Sequence, residues 1–423
     1  MKGKWTLLAL LCAIFVTYTV DRALLGLLAV PIQAELGFDD MTFGILTAAI
    51  FWTYSVCVPF SGLVGDRFNR ARVIGLAAVA WSAMTLLAGF AGGFWSLFLL
   101  CSVAIVVPQT LYGPCANALI AEQHDSTRTV ALSTHQAAYY TGWLLSGVLV
   151  AAVLGRFGSW RWVFFVCGSA GLAVGAVFLV CSRSFSRTSA TASGASASAA
   201  RPPTLRESLK AFFGCRTAML VAVCYVTEVF VSCGYGAWGP KFVAAKFRLS
   251  AAEAGTGVMF WHYAAALAAI LATGFVTDRC VVRMPRFRMA LSAAALVCSM
   301  PALVVFGTSE CLTAVWASAA ALGALIGVIG ANQFTAIFDV VPSNCRSGAL
   351  GFLNVIAGLV GSLAPIGLGW LSDHDSVSVF GHGGFELGFS SMSLVQLLAA
   401  AALAFAMFVT FGKDRARLPG RLK

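Results

Sequence analysis

The chain reads as an all-α membrane protein of twelve transmembrane helices in two six-helix bundles. Three observations predict this. Its 423 residues are 59% hydrophobic and only 11% Asp, Glu, Lys and Arg, against about 25% charged in a soluble domain. Its mean hydropathy is +0.86. Its apolar residues also fall in runs of the roughly 20 residues that a bilayer-spanning helix needs. A soluble enzyme is excluded, because 28 basic and 17 acidic residues cannot cover a water-facing surface over this length.

The runs can be taken in order. The first, Trp5 to Val30, comes after Lys2 and Lys4 and carries Asp21 and Arg22. It has no small-residue cleavage pattern, so it is expected to stay as a helix and not be removed as a leader. Thr42 to Leu63 ends in a glycine-containing basic loop, and Val73 to Ala91 begins after it. Phe94 to Ala121 holds Pro108 and Pro114, Val130 to Leu154 holds His135 and two tyrosines, and Trp162 to Cys181 closes the first half. The composition then shifts to SRSFSRTSATASGASASAARPPTLR over Ser182 to Arg206. Such a stretch cannot bury enough apolar surface to fold alone and reads as a flexible linker.

The second half continues with Thr217 to Val243, which centres on Glu228, then Ala251 to Val276 and Met289 to Phe306. Leu312 to Ile337, Gly348 to Leu371 with Pro365, and Gly388 to Gly412 complete the set. The expected organisation is a bundle over 1–181, a linker over 182–216, and a second bundle with a basic tail over 217–423. Gly171 with Gly175, and Gly323 with Gly327, have the spacing that lets helices pack closely.

The net charge of +11 is explained by topology and calls for no nucleic acid. With both termini cytoplasmic, 22 of the 28 basic residues fall on inside segments. Arg156, Arg161, Lys241, Lys246 and Arg248 fall outside, and Arg22 lies within a span. That bias orients the chain by the positive-inside rule, and the expected location is the plasma (inner) membrane. The 13 cysteines show no C-x-x-C spacing, so no metal or disulfide framework is expected.

The halves echo each other. Gly62-Leu-Val-Gly-Asp66-Arg67, with Arg70 and Arg72 beyond, is matched by Gly274-Phe-Val-Thr-Asp278-Arg279, with Arg283 beyond; Arg128-Thr-Val-Ala-Leu132 is matched by Arg346-Ser-Gly-Ala-Leu350. Two matches at nearly one offset indicate a duplicated six-helix unit, an architecture found among transporters. Gly62, Asp66, Arg67, Arg70, Arg128, Asp278, Arg279 and Arg346 are therefore candidates for a charged latch on the cytoplasmic side. The alternative is that these arginines only fix topology.

GLVGDRFNRAR resembles the loop 2-3 signature of the major facilitator superfamily, and its recurrence after the eighth run strengthens the likeness. The resemblance implies the major facilitator fold and a transport function. Tyr18-Thr-Val-Asp21-Arg22, Ala116-Asn-Ala-Leu-Ile120, Gly158-Ser-Trp-Arg-Trp162 and Asp339-Val-Val-Pro342 are similar to the anion:cation symporter branch, and more distantly to spinster-like carriers. That likeness implies that Asp21 takes a coupled proton and Arg22 a substrate carboxylate. The branch usually carries an Arg and a Glu in its fourth helix, where this chain has Ser102 and Gln109. Gln109 cannot release a proton, so coupling would rest on Asp21, on Glu228 or on nothing.

Asp21, Arg22 and Glu228 are the charges well inside the spans. Each costs at least about 2.5 kcal/mol at the bilayer centre and is expected to face a cavity or a partner. Adjacent residues on a helix point about 100° apart, so Asp21 and Arg22 cannot both face one spot squarely, though the long stem of Arg22 can bend toward a cavity or another helix. The neutral candidates for substrate binding are Tyr18, Gln109, Tyr112, His135, Gln136, Tyr139, His262, Asn332, Gln333 and Asn354; some of these amides and imidazoles can equally be interhelical glue.

No nucleotide-binding G-x-x-x-x-G-K-[ST], H-E-x-x-H or G-x-S-x-G occurs, so neither ATP-driven nor enzymatic chemistry is expected and no cofactor is implied. The expected activity is secondary transport of a small organic anion, such as a sugar acid, coupled to protons. The alternatives are a carrier of a neutral or amphiphilic solute and a transport-inactive receptor on the same fold. The expected partners are the small-molecule substrate, protons and the lipid bilayer.

Overall fold

The computed structural model describes residues 2–124, 127–192, 205–281, 283–342, 345–374, 378–379 and 382–417. Twelve helices are long and apolar enough to cross a membrane. They are α1 (Gly3–Leu27), α2 (Asp40–Ser61), α3 (Arg70–Ala88), α4 (Phe94–Gln123), α5 (Val130–Phe157), α6 (Trp160–Cys181), α7 (Arg216–Phe247), α8 (Ala251–Val281), α9 (Phe287–Thr308), α10 (Leu312–Phe338), α11 (Ala349–Asp373) and α12 (Gly384–Ala416). The other regular elements are short: helices over Ala29–Leu36 and Leu205–Phe213, and an antiparallel pair of two-residue strands, Ser378–Val379 with His382–Gly383. By contacts the chain forms two units, one of 1–199 with 236–260 and one of 200–235 with 261–423. The division falls inside α7 and α8.

Local sequence explains where the helices begin. The Asp39 carboxylate accepts from the Thr42 amide at 2.7 Å and caps α2, and the Asn69 side chain accepts from the Arg72 amide at 3.1 Å and caps α3. Ser250 and Glu253 satisfy each other's backbone amides, each at 3.1 Å, in a capping box that opens α8. Asp414, buried near the end of α12, accepts from the Thr217 amide at 2.9 Å and its hydroxyl at 2.8 Å, so the first turn of α7 is capped from another helix. Gly158, with φ of +70°, turns the chain from α5 into α6.

Three interruptions share one cause. Helix breaks at Leu27 and at Gly361, and a π-helical segment ends at Ala104; each lies four residues before a proline, respectively Pro31, Pro365 and Pro108. A proline ring clashes with the carbonyl four residues back and offers no amide to it. Around Pro108 the fourth span absorbs the defect as the wider turn of Phe98–Ala104, where the Ile105 amide donates to the Leu100 carbonyl at 2.9 Å.

One expectation is corrected. The sixth span ends at Cys181 as expected, but the polar stretch after it is not all irregular: helix continues to Ala192, and Leu205–Phe213 is helical too. Alanine is the best helix former and serine is tolerated, so a polar Ser/Ala run can prolong an established helix where it could not start one. Phe212 and Phe213 rest on Phe352 of α11, with ring centroids 6.4 and 5.4 Å away.

The glycine pairs sit at close helix contacts. A methyl group at Gly175 would lie 3.1 Å from the Val79 amide of α3, and one at Gly327 would lie 2.5 Å from the Ala266 carbonyl oxygen of α8; at Gly323 it would collide with the His262 backbone. In the first unit a cluster at the ends of the spans ties three helices. Arg161 pairs with Glu35 at 2.6 Å and donates to the Gly89 and Ala91 carbonyls at 3.1 and 2.6 Å, while the Trp160 indole donates to Glu35 at 2.6 Å. These bonds from Arg161, then Trp160, hold the exposed Glu35 carboxyl below its ordinary range.

This packing sets two outcomes. Gly323→Ala is expected to destabilise the detergent-solubilised protein by about 1–3 kcal/mol, the usual cost of overpacking, whereas Gly351→Ala, with open space around it, leaves the melting temperature where it was. Glu35→Gln is expected to lower the melting temperature by a constant amount above about pH 5. A lowered carboxyl contributes its stability above its unfolded value and loses it as pH falls, so the gap should close in acid. Scanning fluorimetry across pH reads both.

Candidate functional site

The polar turn of α1 is the centre of the site in the first unit. Asp21 and Arg22 diverge, as their 100° separation requires. Asp21 turns to α3, where the Thr85 hydroxyl donates to its carboxylate at 3.2 Å. Arg22 turns to aromatic faces: its guanidinium lies 4.6 Å from the Tyr54 ring centroid and 5.3 Å from that of Tyr18, and it donates to the Tyr18 hydroxyl at 3.1 Å. No ion pair joins Asp21 to Arg22 among the described residues, and the buried Arg22 Nε makes no hydrogen bond. Two π faces, each worth up to about 2 kcal/mol when desolvated, are of the size of the roughly 2.5–3.5 kcal/mol that an arginine costs at mid-bilayer on insertion scales. The cation is thus held largely by ring faces, with one hydrogen bond to the Tyr18 hydroxyl and no bond at Nε.

Asp21, Arg22, Thr85 and Gln109 line one small cavity with Cys101 and a wall of Leu24, Leu25, Ile50, Ile105, Val106 and Phe164. Gln109 is 2% exposed, and neither its amide nitrogen nor its oxygen has a partner. A buried, unsatisfied amide is costly unless something completes it, which makes Gln109 a candidate binding group. Ser102 is elsewhere: its hydroxyl donates to the Leu46 carbonyl at 2.8 Å and secures α4 to α2. The π-helical turn places Cys101 at the cavity.

Next to Arg22 lies a cluster of rings. Tyr112 is fully buried; its hydroxyl donates to the Leu11 carbonyl at 2.7 Å and meets His135 Nε2 at 2.7 Å. Phe15 stacks on His135 with centroids 4.5 Å apart, Tyr139 lies 5.4 Å from Phe15, and Tyr18 stacks on Tyr112 at 5.9 Å. Gln136 is exposed and does not join the group.

In the second unit Gln333 donates to the Glu228 carboxylate at 3.2 Å, and the Tyr225 hydroxyl donates to Asn354 at 2.5 Å. Gln333 Oε1 and Asn332 Oδ1 have no partner; the Asn332 amide nitrogen donates back to Val328 at 2.9 Å. His262 stacks on Tyr235 at 4.5 Å and leaves Nδ1 without a partner.

The candidate latch residues behave unequally. Arg70 pairs with Glu122 at the end of α4. Arg346 donates to the Phe338 carbonyl at 2.6 Å and covers the Phe338 ring, so it caps α10. Arg67 and Arg279 are exposed. The side chains of Gly62, Asp66, Arg128 and Asp278 lie outside the described residues. No group of three or more His, Cys, Asp and Glu side chains able to hold a metal is found among the described residues.

Sequence reasoning missed Tyr54 and Thr85, the partners of Arg22 and Asp21. A tyrosine or threonine in an apolar span carries no pattern that names its partner. It also missed Lys241, which pairs with Asp40 and donates to Gln33 at 2.7 Å within the first unit; the signal available was three polar residues at the ends of otherwise apolar runs.

Among known families, residues 10–365 match the Major Facilitator Superfamily. The "Probable anion transporter 4, chloroplastic" of Oryza sativa subsp. japonica is 27% identical over 170 residues, which are 40% of this chain and 29% of that protein. The sphingosine-1-phosphate transporter SPNS2 of Mus musculus is 26% identical over 227 residues (53% and 41%), and the D-galactonate transporter of Escherichia coli O6:H1 is 28% identical over 175 residues (40% and 38%). The chain thus spans between 29% and 41% of the length of these curated relatives. In fold it is similar to a bacterial homolog of the human lysosomal transporter spinster in an inward-facing, unoccupied conformation, with a TM-score of 0.84 and 20% identity over 98% of both chains. The chain has the apolar helices of an integral membrane protein and belongs to the Major Facilitator Superfamily.

Proposed function

We propose that this chain carries a small organic anion, such as a sugar acid, across the plasma (inner) membrane in symport with protons. The single observation that carries this reading is Arg22, a cation inside the membrane that sits on two tyrosine faces with an unpartnered Nε. A carboxylate arriving there gains a charge-assisted, two-pronged hydrogen bond and costs no existing ion pair. Asp21, with only the Thr85 hydroxyl on it, takes the coupled proton, and Glu228 with Gln333 is a second titrating position. Two relatives are named for anion and D-galactonate transport, which supports the substrate class.

Transport on this reading proceeds by alternating access. Bundles over 1–181 and 217–412 rock about a midplane site, with both termini in the cytoplasm and the Asp66 and Asp278 loops latching that side. Tyr18, Gln109, His135, Tyr139, His262, Asn332, Gln333 and Asn354 supply its neutral contacts. A second reading, an amphiphilic or neutral solute, is favoured by Gln109, an amide where the symporter branch has a carboxylate, and by a relative named as a sphingosine-1-phosphate transporter.

Proteoliposome uptake of D-galactonate, with and without an inward-directed proton gradient, tests the reading. Arg22→Ala is expected to abolish uptake while Arg156→Ala retains it; equal uptake by both would remove Arg22 from the site. Asp21→Asn is expected to lose the stimulation by the gradient. Wild-type uptake that ignores the gradient would sink proton coupling.

A further inference from the structure

We propose that His135 reads a hydroxyl or N–H group of the transported solute through an unprotonated Nδ1, and that Tyr112 fixes it in that state. The inference rests on the organic-anion reading above and specifies what the far end of that solute must be.

The argument counts protons. A phenol has one. The Tyr112 oxygen lies 2.7 Å from the Leu11 carbonyl oxygen and 2.7 Å from His135 Nε2. A main-chain carbonyl can only accept, so the phenol proton goes to Leu11 and the phenol oxygen has only lone pairs to offer His135. Nε2 must then carry the hydrogen. In a neutral imidazole this leaves Nδ1 as a bare acceptor, and Nδ1 has no hydrogen-bond partner among the described residues. Phe15, stacked on the ring at an interplanar angle of 17°, fixes the plane in which that lone pair points.

Position makes the acceptor useful. Phe15 precedes Arg22 by seven residues, two helical turns, so it shares the Arg22 face of α1 about 10 Å away. Tyr18 and Tyr112 lie along the interval, Tyr18 being 5.7 Å from Phe15 and 5.9 Å from Tyr112. A solute whose carboxylate meets Arg22 can present its other end to His135. A methyl or methylene placed against Nδ1 would displace water from it and leave it unpaired, a loss that a site built for a donor does not tolerate. The subsite thus selects polyhydroxylated acids over fatty acids of the same length.

Two measurements test it. In protein labelled with 15N-histidine, the chain's five histidines give separable signals, and His135 is assigned by its loss in His135→Gln. The expected spectrum has a protonated Nε2 and an unprotonated Nδ1, and Tyr112→Phe relaxes that preference. The opposite tautomer, or both nitrogens protonated at neutral pH, overturns the proposal. Calorimetric binding of D-galactonate and hexanoate is the second measurement. The wild type is expected to favour the hydroxylated acid by about ten-fold or more, and His135→Phe to bring the ratio within about three-fold; an unchanged ratio overturns the proposal. If Arg22→Ala affects neither acid, the organic-anion reading fails, and the tautomer spectrum still tells whether Tyr112 sets the state of His135.

Discussion

The structure turns on one constraint: a guanidinium inside hydrocarbon must be stabilised without being neutralised. An Arg22–Asp21 ion pair would satisfy the membrane but leave no charge for a solute. The chain instead separates the two side chains by their helical angle. Tyr54 and Tyr18 take the cation and Thr85 takes the carboxylate. The tyrosine faces offset the cost of burial through the ring quadrupole, an interaction that leaves N–H donors unspent. The tyrosines beside Arg22 extend the same logic, since their rings pack as apolar bodies while their hydroxyls bond inside the protein, Tyr18 to Arg22 and Tyr112 to Leu11 and His135.

Strong ionic contacts lie at the ends of the helices. Glu35 with Arg161, Lys241 with Asp40, and Arg70 with Glu122 all sit where α1 to α7 begin or end within the first unit. Asp414 has a comparable role in the second unit as a cap on α7. Water and headgroups reach such positions, so the desolvation penalty that offsets the attraction of a buried pair is smaller there. The spans themselves are held by glycine contacts and single hydrogen bonds, as suits helices with no hydrophobic drive toward each other in lipid.

Proline sets the shape of the lining helices. Pro31, Pro108 and Pro365 each disturb the backbone four residues earlier. The disturbance before Pro108 matters most for the site: the added residue in the turn of Phe98–Ala104 rotates the remainder of the fourth span, and Gln109 and Cys101 come to share a cavity with Asp21. Carbonyls freed by such turns are tolerated in a membrane only where protein or a polar cavity meets them.

Much was legible from the residues alone, because bilayer physics writes itself into composition. The twelve spans, the charge bias and the duplicated loops follow from apolar run length and from the cost of moving a charge through lipid. For the same reason Asp21, Arg22 and Glu228 stood out as the few groups that carry that cost. Their surroundings were not legible. Whether Arg22 meets a carboxylate or a ring, and whether Gln136 joins His135 or points away, depends on how helices far apart in sequence rotate against each other. Tyr54 and Thr85 sit 32 and 64 positions from their partners, and an apolar span has no period that encodes a rotation to within one side chain. Sequence determined which groups had to be accommodated inside the membrane; only the packing of α1 against α2, α3, α4 and α5, and of α7 against α10, decided what accommodates them.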